Sequence, residues 1–93
     1  MIYAFVSLTI TNPQSIAAYR EKAADALAKH GGAVAGASPT LTGIEGNPHV
    51  PDMAAVLSFP DRDAAMAWIE DPELQPVHAL RQGAGKSDIL LLG

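Results

Sequence analysis

Hydrophobic and polar residues alternate along the start of the chain. Ile2, Ala4, Val6, Leu8 and Ile10 fall on one side; Tyr3, Phe5, Ser7, Thr9 and Thr11 fall on the other. A period of two, rich in β-branched and aromatic residues, predicts a strand. Its second face is mixed, because Tyr3 and Phe5 share it with hydroxyls. The period changes at Asn12-Pro13. Asn is a favoured N-cap and Pro a favoured first helical residue. From there Ile16, Tyr19, Ala23, Leu27 and His30 recur at three- and four-residue steps. They predict the buried stripe of a helix that runs to Lys29 or His30. Gly31-Gly32 closes it, since Gly readily takes the left-handed conformation past a helix end.

Residues 33–45 predict a weaker strand. Pro39 removes a ladder donor, which places this strand at a sheet edge and breaks it near Ala37-Ser38-Pro39. Residues 46–52 read as a loop by their Gly, Pro and Asn content. Met53 to Phe59 alternates again and predicts a third strand. Asp61 caps a second helix, with Ala65, Trp68 and Ile69 on its apolar face. Asp71-Pro72-Glu73 repeats the cap-plus-proline signal and starts a further short helix, whose first turn Pro76 tightens. Gly83-Ala84-Gly85 ends it, and Ile89 to Leu92 forms the last strand.

The order βαββαβ predicts a single α+β domain over residues 1–93, of ferredoxin-like type. Its four-stranded antiparallel sheet carries the helices on one face. The first and third strands, expected at the centre, are apolar on both faces, and helices cover only one. The simplest cover for the other is the same face of a second copy, so a homodimer through the sheet face is expected.

Composition sharpens this picture. Hydrophobic residues make up 48% of the chain and charged residues 17%, against ~25% charged in an average domain. A chain of this size buries only a little over ~60% of its unfolded surface and should need more polar residues than average. Having fewer fits a bland, alanine-rich surface, a surface partly covered by another subunit, or both together. The net charge of −4 argues against nucleic-acid and anionic-membrane partners. There is no cysteine, so neither disulfides nor thiolate-held metals staple the fold. The apolar run Ile2–Ile10 is too short to span a bilayer, and no secretory signal pattern precedes it. A cytoplasmic protein is expected.

The ordered series of short segments carries a resemblance. It comprises Asn12-Pro13, Tyr19, Gly31-Gly32 and Glu45-Gly46, then Val56-Leu57-Ser58-Phe59-Pro60 and Ala64-Ala65-Met66-Ala67-Trp68. It ends with Asp71-Pro72-Glu73-Leu74-Gln75, Leu80-Arg81 and Ile89-Leu90-Leu91-Leu92-Gly93. Over essentially its whole length the chain resembles the family catalogued as domain of unknown function 1330, in the dimeric α+β-barrel superfamily. The resemblance implies a ferredoxin-like protomer whose sheet packs on a partner's sheet. It implies no particular activity, because the superfamily hosts several chemistries. Leu74 stands where members often have Tyr, and residues 43–52 lack the aromatic often found in that loop.

Five residues are candidates for a site. His30 is a candidate general base, or else a cation complementing the helix end. Tyr19 either points its hydroxyl into a helix–sheet cleft or packs as a core aromatic. Trp68 suits a core anchor and a pocket wall alike. His78 and Arg81 are three apart and share a helix face. Arg81 beside an apolar pocket would suit a carboxylate or enolate; otherwise it pairs on the surface with Asp71 or Glu73. His49 and Asp52 are too few for a metal site, and none is expected. Gly85-Lys86-Ser87 lacks the glycine and the strand-to-helix context of a phosphate loop. Asp61 and Asp63 are explained by their helix start. No cofactor is expected.

Two functions follow as expectations. In one, the protein binds or transforms a small anionic, partly apolar molecule in a helix–sheet cleft. Tyr3, Phe5, Val6, Tyr19, Trp68 and Leu80 would form the walls, and Arg81, His30 or His78 the polar groups. In the other, it is a non-catalytic dimerisation or binding module, whose Tyr19, Trp68 and Arg81 share no cavity.

Overall fold

In the computed structural model, which describes residues 1–93, the opening alternation becomes strand β1 (Ile2–Ile10). Helix α1 (Pro13–Ala28) follows, and the Asn12 side chain accepts from the Ser15 N–H at 3.2 Å. Gly31 takes a φ of 73°, the left-handed turn that ends the helical segment. Then come β2 (Ala33–Ser38), β3 (Met53–Phe59) and α2 (Arg62–Glu70). Asp61 caps α2 by accepting from the Ala64 N–H at 2.8 Å. A single tight turn, Pro72–Leu74, leads into α3 (Gln75–Gln82), and β4 (Gly85–Leu92) closes the chain.

The four strands form one antiparallel sheet in the order β2-β3-β1-β4, the expected α+β topology with β1 and β3 at the centre. Helix α1 stops at Ala28, just short of the expected Lys29 or His30, and two strand boundaries also differ from the sequence expectation. Strand β2 stops at Ser38, where Pro39 and a turn held by the Ser38 hydroxyl on Thr40 end the pairing. Strand β4 begins at Gly85, four residues before the apolar run. Gly85 to Asp88 pair with Ile10 to Ser7, so backbone partners rather than side-chain hydrophobicity define this half. Gly85 is required there, because a Cβ would collide with the Thr9 carbonyl.

The sheet face that meets the helices carries Ala4, Leu8, Leu57 and Phe59. From the helical layer Ile16, Ala26, Leu27, Ala65 and Trp68 pack against it. Phe59 and Leu27 are almost fully buried, a contribution of ~1.5–3 kcal/mol each by area. The opposite face has no helix. The molecule is only 16 Å across its shortest axis, one helical layer upon one sheet. On the uncovered face Phe5 is 40% exposed and Leu90 68%, in a patch with Tyr3, Val56 and Leu92. Phe5 lies between Val56 and Leu90 in the strand register, so the patch is continuous. Tyr3 and Phe5 therefore cannot wall a helix–sheet cleft, which corrects that part of the expectation. The strand period sends them away from Ala4 and Leu8.

Candidate functional site

Helices α1 and α3 are pinned together near their ends. The Ser15 hydroxyl donates to the Leu80 carbonyl at 2.6 Å, and the N–H groups of Thr11 and Asn12 both donate to the Ala84 carbonyl. One turn further along α1, Tyr19 meets Arg81. Arg81 is 2% exposed, unusual for a residue that is rarely buried without a charged partner. Its guanidinium carbon lies 5.5 Å from the centre of the Tyr19 ring and 5.2 Å from that of Trp68. Its Nη1 donates to the Tyr19 hydroxyl at 3.3 Å and to His78 Nδ1 at 3.0 Å. No carboxylate pairs with it. The surface ion pair with Asp71 or Glu73 is therefore not formed; those acids serve other cations.

His78 is 1% exposed, and its protonation follows from its partners. The Trp68 carbonyl, 2.9 Å from Nε2, can only accept. Arg81 can only donate, to Nδ1. His78 is thus the neutral Nε2–H tautomer. Burial holds its pKa below the ordinary histidine value, helped by the Arg81 charge and opposed by the Trp68 carbonyl and Asp71. The ring also meets Trp68 edge to face, centres 4.7 Å apart. Two buried nitrogens, Arg81 Nε and Trp68 Nε1, have no partner at all.

Arg81 and Tyr19 line a cavity of about 220 Å³ between α1 and the β2–β3–β1 side of the sheet. Facing alanines open it: Ala23 and Ala24 on α1, Ala37 on β2, Ala55 on β3. Leu8, Ile16, Leu27 and Leu57 make it apolar, and the charged residues in its lining are Arg81 and Arg20. Trp68 is not in this wall. It lines a second, wholly apolar cavity of about 150 Å³ with Phe59, Ala65 and Leu91. Arg81 thus lies against Tyr19 on one side and Trp68 on the other. Tyr19 and Arg81 share a cavity; Trp68 reaches it only through the guanidinium. Leu80 lies outside this lining and offers its carbonyl to Ser15.

His30 is elsewhere. Helix α1 ends before it, and its Nε2 sits 2.8 Å from Asp71 Oδ2. Lys29 pairs with Asp71 at 2.7 Å and with Glu73 at 2.8 Å. The Lys29 bond, then that of His30, pulls the Asp71 carboxyl far below its usual range, and Asp71 in turn raises Lys29. This cluster joins the end of α1 to the α2–α3 junction, away from the cavity lining. His49 is exposed in the β2–β3 loop, while Asp52 accepts from the Ile10 N–H at 2.8 Å. No three metal-ligating side chains cluster anywhere, and no helix is long and apolar enough to cross a membrane.

The fold and the site define a class: a ferredoxin-like α+β domain with an apolar cavity under its first helix and a buried arginine in the cavity wall. Within that class, the family described as Domain of unknown function (DUF1330) matches residues 1–93, and the chain belongs to it. Its fold is similar to that of RPA0582, a protein of unknown function from Rhodopseudomonas palustris. The crystal structure of methylated RPA0582 matches at a TM-score of 0.75 and 20% identity, covering 98% of this chain and 78% of that one. A second crystal structure of RPA0582 matches at 0.73 and 20%, covering 98% and 79%. No curated protein matches the chain.

Proposed function

We propose that the protein binds a small anionic, partly apolar molecule in the cavity beneath α1, with a carboxylate or enolate oxygen on Arg81 and Tyr19. One observation supports this above all: a guanidinium buried in the wall of an apolar cavity with no carboxylate partner. Burying an ion costs several kcal/mol unless it is compensated. A bound anion supplies the missing charge, and Tyr19, which accepts from Arg81, keeps its own O–H to donate. About 150 Å³ accommodates benzene, so this cavity has room for roughly nine non-hydrogen atoms on the same scale. The site needs no cofactor. Binding is favoured over turnover, because His78 Nδ1 is committed to Arg81 and His30 to Asp71. Neither offers a free base to the cavity.

Calorimetry with hexanoate and benzoate, beside hexanamide and benzamide of similar shape, tests this. The acids should bind about tenfold or more tightly than the amides, the margin of a charge-assisted hydrogen bond over a neutral one. Equal binding of acid and amide, or binding of neither, overturns it.

The free sheet face supports a second part of the proposal, a homodimer in which Tyr3, Phe5, Val56, Leu90 and Leu92 meet the same residues of another copy. The lack of cysteine suits a reducing cytoplasm. Light scattering should give a mass near twice 9.7 kDa, and the exposed-site variants Phe5→Asp and Leu90→Asp should be monomers. A monomeric wild type refutes the dimer.

A further inference from the structure

The cavity has a second cation. Arg20 follows Tyr19 on α1, is exposed, and lines the same cavity as Arg81. Its side chain reaches from α1 to β3, where Nη2 lies 3.5 Å from Met53 Sδ. Met53 also belongs to the lining. A thioether is a weak acceptor, so this contact holds the guanidinium beside the cavity lining without answering its charge. The helix offers no alternative: Ile16, Ala17, Ala23 and Ala24 occupy the positions three and four residues away. The ion pairs of the molecule use Lys29, His30 and Lys86 instead. The chain has 10 acidic and 6 basic residues. Even so, both charged residues of this lining are arginines, neither has a carboxylate, and no acid lines the cavity.

We propose that the ligand carries two anionic groups joined by an apolar span, one held inside by Arg81 and Tyr19 and the other by Arg20 at the mouth. This rests on the anion-binding reading of Arg81 and makes it more specific: a dicarboxylate or similar dianion rather than a simple fatty or aromatic acid. The span lies along Ala23, Leu27 and Leu57, which offer it no hydrogen bond. The two arginines differ in kind. Arg81 is fixed by Tyr19, His78 and Trp68, so it sets where one end of the ligand sits. Arg20 has only the Met53 contact to give up, so it is free to follow the second end.

The experiment compares matched pairs by calorimetry: adipate with hexanoate, and terephthalate with benzoate, on wild type and on Arg20→Met. Arg20 is exposed, so this variant should fold, as circular dichroism will verify. Wild type should bind each diacid about two- to fivefold more tightly than its monoacid, the worth of one solvent-exposed ion pair. That margin should shrink at high salt and vanish in Arg20→Met. Monoacids that bind as well as diacids overturn the second anionic group while leaving the Arg81 reading standing. A diacid preference that survives in Arg20→Met overturns the role of Arg20. Binding of neither acid refutes both readings together.

Discussion

Replacing Arg81 by Met separates what the residue does for the fold from what it does for a ligand. Methionine keeps an unbranched apolar stem between Tyr19 and Trp68 and removes the charged head. Two ring contacts are lost, ~1–2 kcal/mol each at a desolvated site. Two hydrogen bonds from a charged group are lost, ~1.5–3 kcal/mol each. Against these stands the relief of several kcal/mol from no longer burying an ion without a carboxylate. The losses outweigh the relief in part, so stability without ligand should fall, by no more than ~4 kcal/mol. Ligand binding should behave differently. Wild type at a hundred times the dissociation constant gains ~2.7 kcal/mol, which for a domain of this size raises the melting temperature by about 10–20 °C. Arg81→Met should show no such rise with hexanoate or benzoate. Denaturant titration and thermal melts, with and without acid, read both quantities. A variant that loses more than ~4 kcal/mol without ligand would mean that Arg81 is a structural keystone. An undiminished thermal shift would mean that the anion sits elsewhere. Either result refutes the reasoning.

Two further predictions concern the titrating groups. His78 is held neutral in the fold, whereas an unfolded histidine takes a proton near pH ~6.5. The folded pKa of this base is depressed, so the unfolded state binds more protons below that pH. Stability should fall as pH drops below it, with a slope of up to ~1.4 kcal/mol per pH unit. His78→Gln should flatten this slope in urea melts; an unchanged slope would clear His78 of responsibility. Asp71→Asn keeps a cap for the Glu73 N–H but loses the charge facing Lys29 and His30. The folded Asp71 pKa is depressed, so its contribution is present above the unfolded value near 3.8 and is lost as pH falls further. Asp71→Asn should therefore melt below wild type at neutral pH and converge with it in acid; a gap that persists there would contradict the charge mechanism.

The elements that could be read from sequence are those whose side chains carry the period. β1 and β3 alternate, and Asn12-Pro13, Asp61 and Gly31 mark helix ends by chemistry that acts locally. The first half of β4 carries no such signal. Lys86 and Asp88 point outward, and their pairing with β1 is a backbone matter. The site divides in the same way. The i, i+3 spacing of His78 and Arg81 places them together, and the structure adds the direct bond between them. The burial of Arg81 is not legible, since a lone arginine reads as a surface residue. Arg20 lies off the buried stripe of α1, where an arginine reads as a solvated residue. The cavity itself is made by small residues that face each other across a layer. Alanines in α1, β2 and β3 look unremarkable in sequence, and only their juxtaposition leaves a space.

The packing of Arg81 on the indole of Trp68 has a practical consequence. Trp68 is the only tryptophan in the chain, and a positive charge sits 5.2 Å from the centre of its ring. Indole emission responds to nearby charge, and an anion bound on the far side of the guanidinium, as proposed, would change the field at the ring. The protein therefore carries an intrinsic optical reporter at the margin of its own cavity. A titration followed by tryptophan fluorescence needs no label, and a change in emission on adding an acid comes from one indole of known position.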